Sequence, residues 1–451
     1  MTFALTDGRA VVPGNRWDLL AEREVAPARV AVVIAHYQQQ RQLDLVLAAL
    51  ALQDHARGLL EVVVADDGSA VPPRVAPSDL PVTVVRQDDF GFRAAAVRNL
   101  GAAHTDADVL CFLDADTVPE PSYVRRVSRL TNVLPDAVTV GRRRHADLSG
   151  WTPADLPGWW AGTSAPTELT EPRWLRDAYA RSGDLRHVDR GSYRFVISSV
   201  LCCGRELFDD VGGFDESFVG YGGEDWEFAH RAVVNGAVLH HARDAVAWHD
   251  GPDWGERDVA ERAAAKNREA AAVARLVCDP AARRSGLRYA VPAVAVEVDT
   301  TGHGLGSLIT TVGGFLGEDV GVWLTGAGAD ALHPHLGEDG RIHLGPVPDR
   351  VRRRCQATAT VRGRAVLSRA AVADLLARAA EPGVARVRVD GPDGAAVVVG
   401  ASWAAHRARR WSTGAVRFAD PADAERLGAD VVVPATDVGL VSADPEVDLS
   451  W

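Results

Sequence analysis

Cysteine is scarce. The 451 residues contain five, namely Cys111, Cys202, Cys203, Cys278 and Cys355, an odd number without regular spacing. That pattern does not read as a disulfide framework. Cys202 and Cys203 are adjacent and poorly placed to share one metal, so the five read as buried or indifferent thiols. Long apolar runs are also missing: none reaches the roughly 20 residues that span a bilayer, so no integral membrane segment is expected. Residues 1–30 lack a charged head followed by an apolar core, so they do not read as a signal peptide, and the expected location is cytoplasmic. Basic charge is in deficit, with a formal net charge of -12. This argues against nucleic acid as a partner, because such binding needs a basic face to displace counterions. A local basic pocket for a diphosphate remains compatible with it.

What is present is an ordinary folded composition, 47% apolar and 24% charged, long enough for two or three domains at roughly 100–200 residues each. Val30–Ile34 is a continuous β-branched run, as in a strand buried on both faces. Leu43, Val46, Leu47 and Leu50 then fall on one helical face. Further strands are expected at 61–65, 82–85 and 109–113, with a helix over 94–103. The alternation of strands and helices implies a mostly parallel α/β sheet. Ligands bind beyond the carboxyl ends of such strands, and two acidic clusters stand there, Asp66-Asp67-Gly68-Ser69 and Asp114-Ala115-Asp116. From about Val140 to Tyr193 the periodicity breaks down among prolines, glycines and Trp151, Trp159, Trp160 and Trp174, which reads as an ordered functional loop. Strand character returns at 195–197. A helix over 226–235 is closed by Gly236, a strand pair or strand and loop spans 237–249, and a helix spans 258–276. Near Tyr289 a second block begins. Its strand, helix and strand at 294–298, 305–315 and 320–324 are spaced like those from Val30 to Val64. Thr325-Gly326-Ala327-Gly328 stands where the first acidic cluster stood.

The acids carry the chemistry. Asp114 and Asp116, one residue apart at a strand end, form a D-x-D pair suited to Mg²⁺ or Mn²⁺ beside a diphosphate. Taken alone, such a pair is more often a solvated acidic turn; the buried strand that runs directly into it favours the site. A carboxylate of the Asp66-Asp67 cluster can accept a hydrogen bond from a base's ring N–H. Arg93 and Arg98 can approach phosphate oxygens or equally be surface arginines. Gly220-Tyr221-Gly222-Gly223 lets the chain approach a ligand closely. Glu224 and Asp225 follow at a helix start, where capping needs only one acid, so a base for an acceptor hydroxyl fits there. His249 follows Trp248; a lone histidine is usually structural.

Taken in order, these segments resemble family 2 glycosyltransferases of the GT-A fold, a mixed sheet flanked by helices. They are nearest to chondroitin-polymerase modules and polypeptide N-acetylgalactosaminyltransferase catalytic domains. The match runs from Val30 to Asp250 and includes Tyr37, Asp66–Ser69, Gly91–Asn99, Leu113–Asp116, Gly212–Glu216, Gly222–Asp225 and Trp248-His249. The resemblance implies a catalytic domain over 1–288, in which Asp67 contacts the base, usually uracil, with Tyr37 nearby. Asp114 would face the ribose and metal, and Arg98 the sugar donor. Asp116 and His249 would ligate Mn²⁺ or Mg²⁺. Asp225 would be the general base of an inverting transfer from a UDP-sugar, with Glu224 positioning the acceptor. Two departures stand out: Ala35-His36-Tyr37 replaces Pro-x-Tyr, and Tyr221 stands where many relatives carry tryptophan. The resemblance stops before 289–451, which is expected to be an α/β accessory domain, either a degenerate GT-A-like copy or a plain one; a homodimer is left open. A sugar nucleotidyltransferase is disfavoured, since Gln38-Gln39-Gln40-Arg41 replaces its Gly-rich, lysine-bearing loop. A non-catalytic sugar-nucleotide-binding protein is disfavoured by the intact acids.

Overall fold

The computed structural model describes residues 1–24, 26–252, 259–284, 286–317 and 319–445. The chain divides into two compact units. One comprises Met1–Val233 with Ala237–Val273, the other Val234–Gly236 with Ala274–Trp451.

The first unit is built on a mixed sheet whose strands are β1 (Val30–His36), β2 (Leu60–Asp66), β3 (Val82–Arg86), β4 (Val109–Asp114), β5 (Thr117–Pro119), β6 (Ala137–Asp147), β7 (Thr167–Leu169), β8 (Val200–Gly204) and β9 (Val238–Asp250). Their order is β3-β2-β1-β4-β8-β6-β9-β5, with β7 pairing to β6. β3, β2, β1 and β4 run parallel. β8 is antiparallel to both β4 and β6, and β9 rejoins β6 in parallel. Val30–Ile34 and Leu110–Leu113 are fully buried, as parallel strands covered on both faces must be. Helix α1 (Gln40–Ala51) buries Leu43, Leu45, Val46 and Leu50. Leu45 takes the deep place expected of Leu47, which is only half-buried. Each such side chain contributes roughly 1.5–3 kcal/mol by leaving water.

Three expectations need correction. The stretch from Val140 is not irregular at its start: β6 continues to Asp147 through Arg142, Arg143 and Arg144, paired throughout with β9. Residues 195–197 are not a strand; the strand begins at Val200, after a short helical turn over Ser192–Phe195. Residues 237–249 form no hairpin but one strand, β9, with a bulge between Ala242 and Val246. The helix expected from Asp258 is described from Val259 to Leu276; Asp258 lies outside the described residues. All five cysteines are buried and free. No helix among the described residues is long and apolar enough to cross a membrane.

The second unit contains β10 (Val294–Asp299), β11 (Val320–Thr325), β12 (Ile342–Leu344), β13 (Ala357–Arg362), β14 (Val384–Asp390), β15 (Ala396–Ala401) and β16 (Ala429–Val432), ordered β12-β11-β10-β13-β15-β14-β16. This repeats the order of seven of the first sheet's nine strands; β5 and β7 have no counterpart in it. β12, β11, β10 and β13 are parallel. β15 is antiparallel to β13 and β14, and β16 rejoins β14 in parallel. Two α/β units of one chain thus share one order and direction over seven strands.

Candidate active site

The carboxyl ends of β1, β2 and β4 lie side by side, and the register fixes what faces what. His36 sits opposite Asp66, and Ala35 opposite Asp114. Asp66 is consumed structurally. Its carboxylate accepts from Ser69 Oγ (2.5 Å) and Ser69 N, and lies 2.9 Å from His36 Nδ1. His36, the middle residue of Ala35-His36-Tyr37, thereby ties β1 to the β2 turn through its ring. Gly68 is held at φ +84°, where a side chain would strike the Asp89 backbone. Asp67 is also buried, accepting from Arg93 N at 2.8 Å and Gln87 Nε2 at 2.5 Å. Tyr37 is half-exposed and donates to Asp89 at 3.1 Å.

Arg98 is buried on α2 (Ala94–Ala102), and not a surface arginine. It donates to Asp114 at 2.8 Å and to Glu224 at 2.9 Å. Burial opposes its charge, but these two carboxylates outweigh that and raise its pKa. The second oxygen of Glu224, Oε2, is buried without a hydrogen-bond partner among the described residues. Asp225 follows at the start of α3 (Glu224–Val234), with Oδ1 accepting from Trp226 N at 2.8 Å. Burial and the neighbouring Glu224 charge push its pKa up to about 7, against the pull of Arg98. The glycines before it are required by contact. Gly222 and Gly223 have φ of +90° and +93°, and side chains there would strike Glu269, Phe218 and Val273.

Asp116 lies just beyond β4. β5 then pairs with the end of β9, setting His249 opposite Thr117. His249 Nδ1 is 3.3 Å from Asp116 Oδ1, and Gln39 donates to Asp116 Oδ2 at 3.1 Å. Burial disfavours the Asp116 charge, but His249, Gln39 and Arg143 prevail and hold the carboxyl below its usual range. A separation of 3.3 Å suits two adjacent ligands of one ion, since metal–nitrogen and metal–oxygen bonds are about 2.0–2.2 Å. Among the described residues no cluster of three or more His, Cys, Asp or Glu converges as a ready cation cage. An ion here would take its other ligands from a diphosphate and water, as Mg²⁺ commonly does.

The structure therefore joins Asp114, Arg98 and Glu224 directly, with Asp225 adjoining them, and joins Asp116 to His249. Asp67 connects through Arg93, and Gly220 N donates to the Phe92 carbonyl at 2.8 Å, closing the loop of Tyr221 against that of Arg93. Tyr37 stands at the rim. Sequence reasoning missed Gln39, Arg143 and His145, whose ring packs edge-on against His249 at 5.0 Å. The run Arg142–His145 was a signal, masked by its resemblance to a loop.

Residues 31–187 match the model of glycosyl transferase family 2, and residues 187–244 that described as the N-terminal domain of galactosyltransferase. The chondroitin synthase of Escherichia coli is 29% identical over 53% of this chain and 37% of its own. The validoxylamine A glucosyltransferase of Streptomyces hygroscopicus subsp. limoneus is 30% identical over 48% of this chain and 50% of its own. The chain thus spans half or less of these relatives' length. GalNAc-T7, solved with UDP, GalNAc and Mn²⁺, is 14% identical over 57% of this chain and 49% of that one, at a TM-score of 0.38. Likeness at that level adds nothing to the family match. In the second unit the register sets Gly326-Ala327-Gly328-Ala329 against Asp66-Asp67-Gly68-Ser69, one residue on from the alignment expected. It sets Arg362-Gly363-Arg364 against Asp114-Ala115-Asp116. In place of α3 stands a short turn, Pro421–Glu425.

Proposed function

We propose that the first unit transfers a sugar from a nucleotide diphosphate donor, a UDP-sugar, to an acceptor hydroxyl, with a divalent ion and inversion at the anomeric carbon. The observation that carries this reading is Asp225. It is a carboxylate tuned to about 7, beside a buried Arg98 that bridges Glu224 to the D-x-D strand. A base matched to neutral pH is what removal of a hydroxyl proton needs.

In this reading Asp67 and Tyr37 receive the base, Asp114 the ribose, and Asp116 and His249 hold Mn²⁺ or Mg²⁺. When bound, the ion neutralises the departing diphosphate. Arg98 fixes Glu224, whose unpaired Oε2 orients the acceptor. Asp225 accepts the hydroxyl proton as the acceptor oxygen attacks the anomeric carbon and the bond to diphosphate breaks. A single displacement of this kind inverts the centre. The second unit carries arginines where the acids would stand, so it is assigned no transfer of its own.

The test is a donor screen: thermal shift against UDP-, GDP- and dTDP-sugars with Mn²⁺, then donor hydrolysis and transfer. Asp225→Asn should bind donor normally and lose transfer by at least 100-fold. Normal transfer by that variant refutes the assignment of the base.

A further inference from the structure

A cavity of about 360 Å³ opens in the first unit, lined by Arg142, Arg143, Arg176, Arg243, Tyr179 and His241, with Glu171 and Asp184 among its remaining walls. It adjoins the site described above. Arg143 acts electrostatically on Asp116, and Asp225 acts on Tyr179. Four arginines against two carboxylates give it a positive balance in a chain of net charge -12.

Its construction is specific. Gly183, Asp184 and Leu185 are three successive residues in the left-handed region, at φ of 59°, 59° and 65°. For Asp184 and Leu185 this costs free energy, and such strain concentrates at binding sites. The turn aims Asp184 at His241, whose Nδ1 lies 2.9 Å from Oδ1, and at Arg243. Tyr179 stacks flat on the His241 ring, centroids 3.7 Å apart and planes 7° from parallel. His241 is 5% exposed, and its Nε2 is buried with no hydrogen-bond partner among the described residues. A buried ring nitrogen left unpaired costs free energy unless a ligand completes it. The β9 bulge between Ala242 and Val246 places Arg243 at the mouth.

We infer that this cavity is the acceptor subsite, and that the acceptor sugar it takes carries an oxyanion, a carboxylate or sulfate, held by the arginines, with a hydroxyl held by His241 Nε2. Burial lowers the His241 pKa, against the pull of Asp184, so the ring is neutral at pH 7. With Nδ1–H donated to Asp184, Nε2 offers a lone pair to a sugar hydroxyl. Guanidinium forks match the two oxygens of a carboxylate or sulfate.

The inference rests on the transferase reading, and the test separates the two. With Mn²⁺ and the donor that the screen selects, KM is measured for three oligosaccharide acceptors that differ only at the terminal sugar: glucuronic acid, glucose and glucose 6-sulfate. An acidic terminus should lower KM at least tenfold relative to glucose, the lower of the two acidic values naming the anion. In Arg142→Ala/Arg176→Ala that advantage should fall to less than threefold. Independently of turnover, ¹⁵N-imidazole NMR of the whole chain should show the His241 Nε2 resonance moving on titration with the acidic acceptor and not with sodium chloride. Equal KM values for acidic and neutral acceptors, or an advantage that survives in the double variant, overturns this inference while leaving the transferase intact. A His241 resonance indifferent to all three acceptors also overturns it. Absence of both donor hydrolysis and transfer, with His241 still responding to the acid, instead overturns the transferase reading.

Discussion

Replacing Glu224 by glutamine tests how the base is tuned. The Asp225 carboxyl is pushed up to about 7 by burial first and the Glu224 charge second, with Arg98 opposing. Glutamine keeps the shape of Glu224 but removes its charge. Two effects then act in one direction. The repulsion disappears, and the Arg98 charge, previously shared between Glu224 and Asp114, bears more strongly on Asp225. Two unit charges about 7 Å apart at an effective dielectric of about 20 interact by roughly 2.4 kcal/mol, or roughly 1.7 pH units. Solvent on the open side of the cleft reduces this, and a fall of about one unit is expected. The base must be ionised to act, so kcat/KM in wild type should rise tenfold per pH unit below 7 and level off above it. In Glu224→Gln the plateau should be lower, because the acceptor loses a contact, and the bend should lie near pH 6. The assay is a pH–rate profile for transfer from pH 5 to 8.5 at fixed metal. A bend that stays near 7, or moves upward, refutes the argument that Glu224 tunes Asp225.

Other outcomes follow from the same geometry. Arg98→Ala leaves two carboxylates without their buried cation and should cost about 3–5 kcal/mol in urea unfolding. Arg98→Lys should recover only part of this, because one ammonium does not span both partners as a guanidinium does. Asp116→Ala should abolish the Mn²⁺-dependent thermal shift by nucleotide while changing the melting temperature of the unliganded protein by less than a few degrees. Calorimetric titration with the UDP-sugar and Mn²⁺ should give one site per chain. Two would show that Arg362 and Arg364 do not mark a lost metal site. Asp225→Asn should raise the melting temperature at pH 8 and leave it unchanged at pH 4. The sign follows from linkage: a carboxyl whose folded pKa is raised destabilises the fold as pH climbs from its unfolded value, about 3.9, to its folded value.

Much of the site was legible because the fold advertises it. Runs such as Val30–Ile34 and Leu110–Leu113 have to be buried strands, so the acids that end them stand at one edge of the sheet. Three features were hidden for separate reasons. The strand β6 carries three successive arginines, which destroy the hydrophobic alternation that reveals strands. They are tolerated because Glu168 and Glu171 pair with Arg142 and Arg144, and Arg144 lies 4.2 Å over the Trp248 ring. The Asp184–His241 pair joins residues 57 apart through a left-handed turn whose second and third residues are not glycine, so no local signal marks it. The tryptophans of the central stretch read as parts of an ordered functional loop, but Trp159 is 9% exposed and packs against Trp151, Trp160 and Trp248. Large aromatic area was spent on order there, leaving Trp174 as the exposed one.

The two sheets show which parts of this architecture are physical necessity and which are chemistry. Both keep buried apolar residues along their central strands: Val30–Ile34 in one, and Val294, Val296 and Val298 with Val320, Val322 and Leu324 in the other. Burial on both faces leaves no freedom there. The residues at and just past the strand ends are held by polar contacts and not by apolar packing, so they are free to differ. Asp67 stands against Ala327, Asp114 against Arg362 and Asp116 against Arg364. Even the local geometry survives the exchange, with Gly68 and Gly328 at φ +84° and +90°, because the turn is set by the backbone and the reactivity by the side chains. An acid-to-arginine change at the D-x-D position reverses the sign of the ligand that the edge can hold while leaving the sheet beneath it intact. The two units therefore share a sheet order and differ in the charge at its edge.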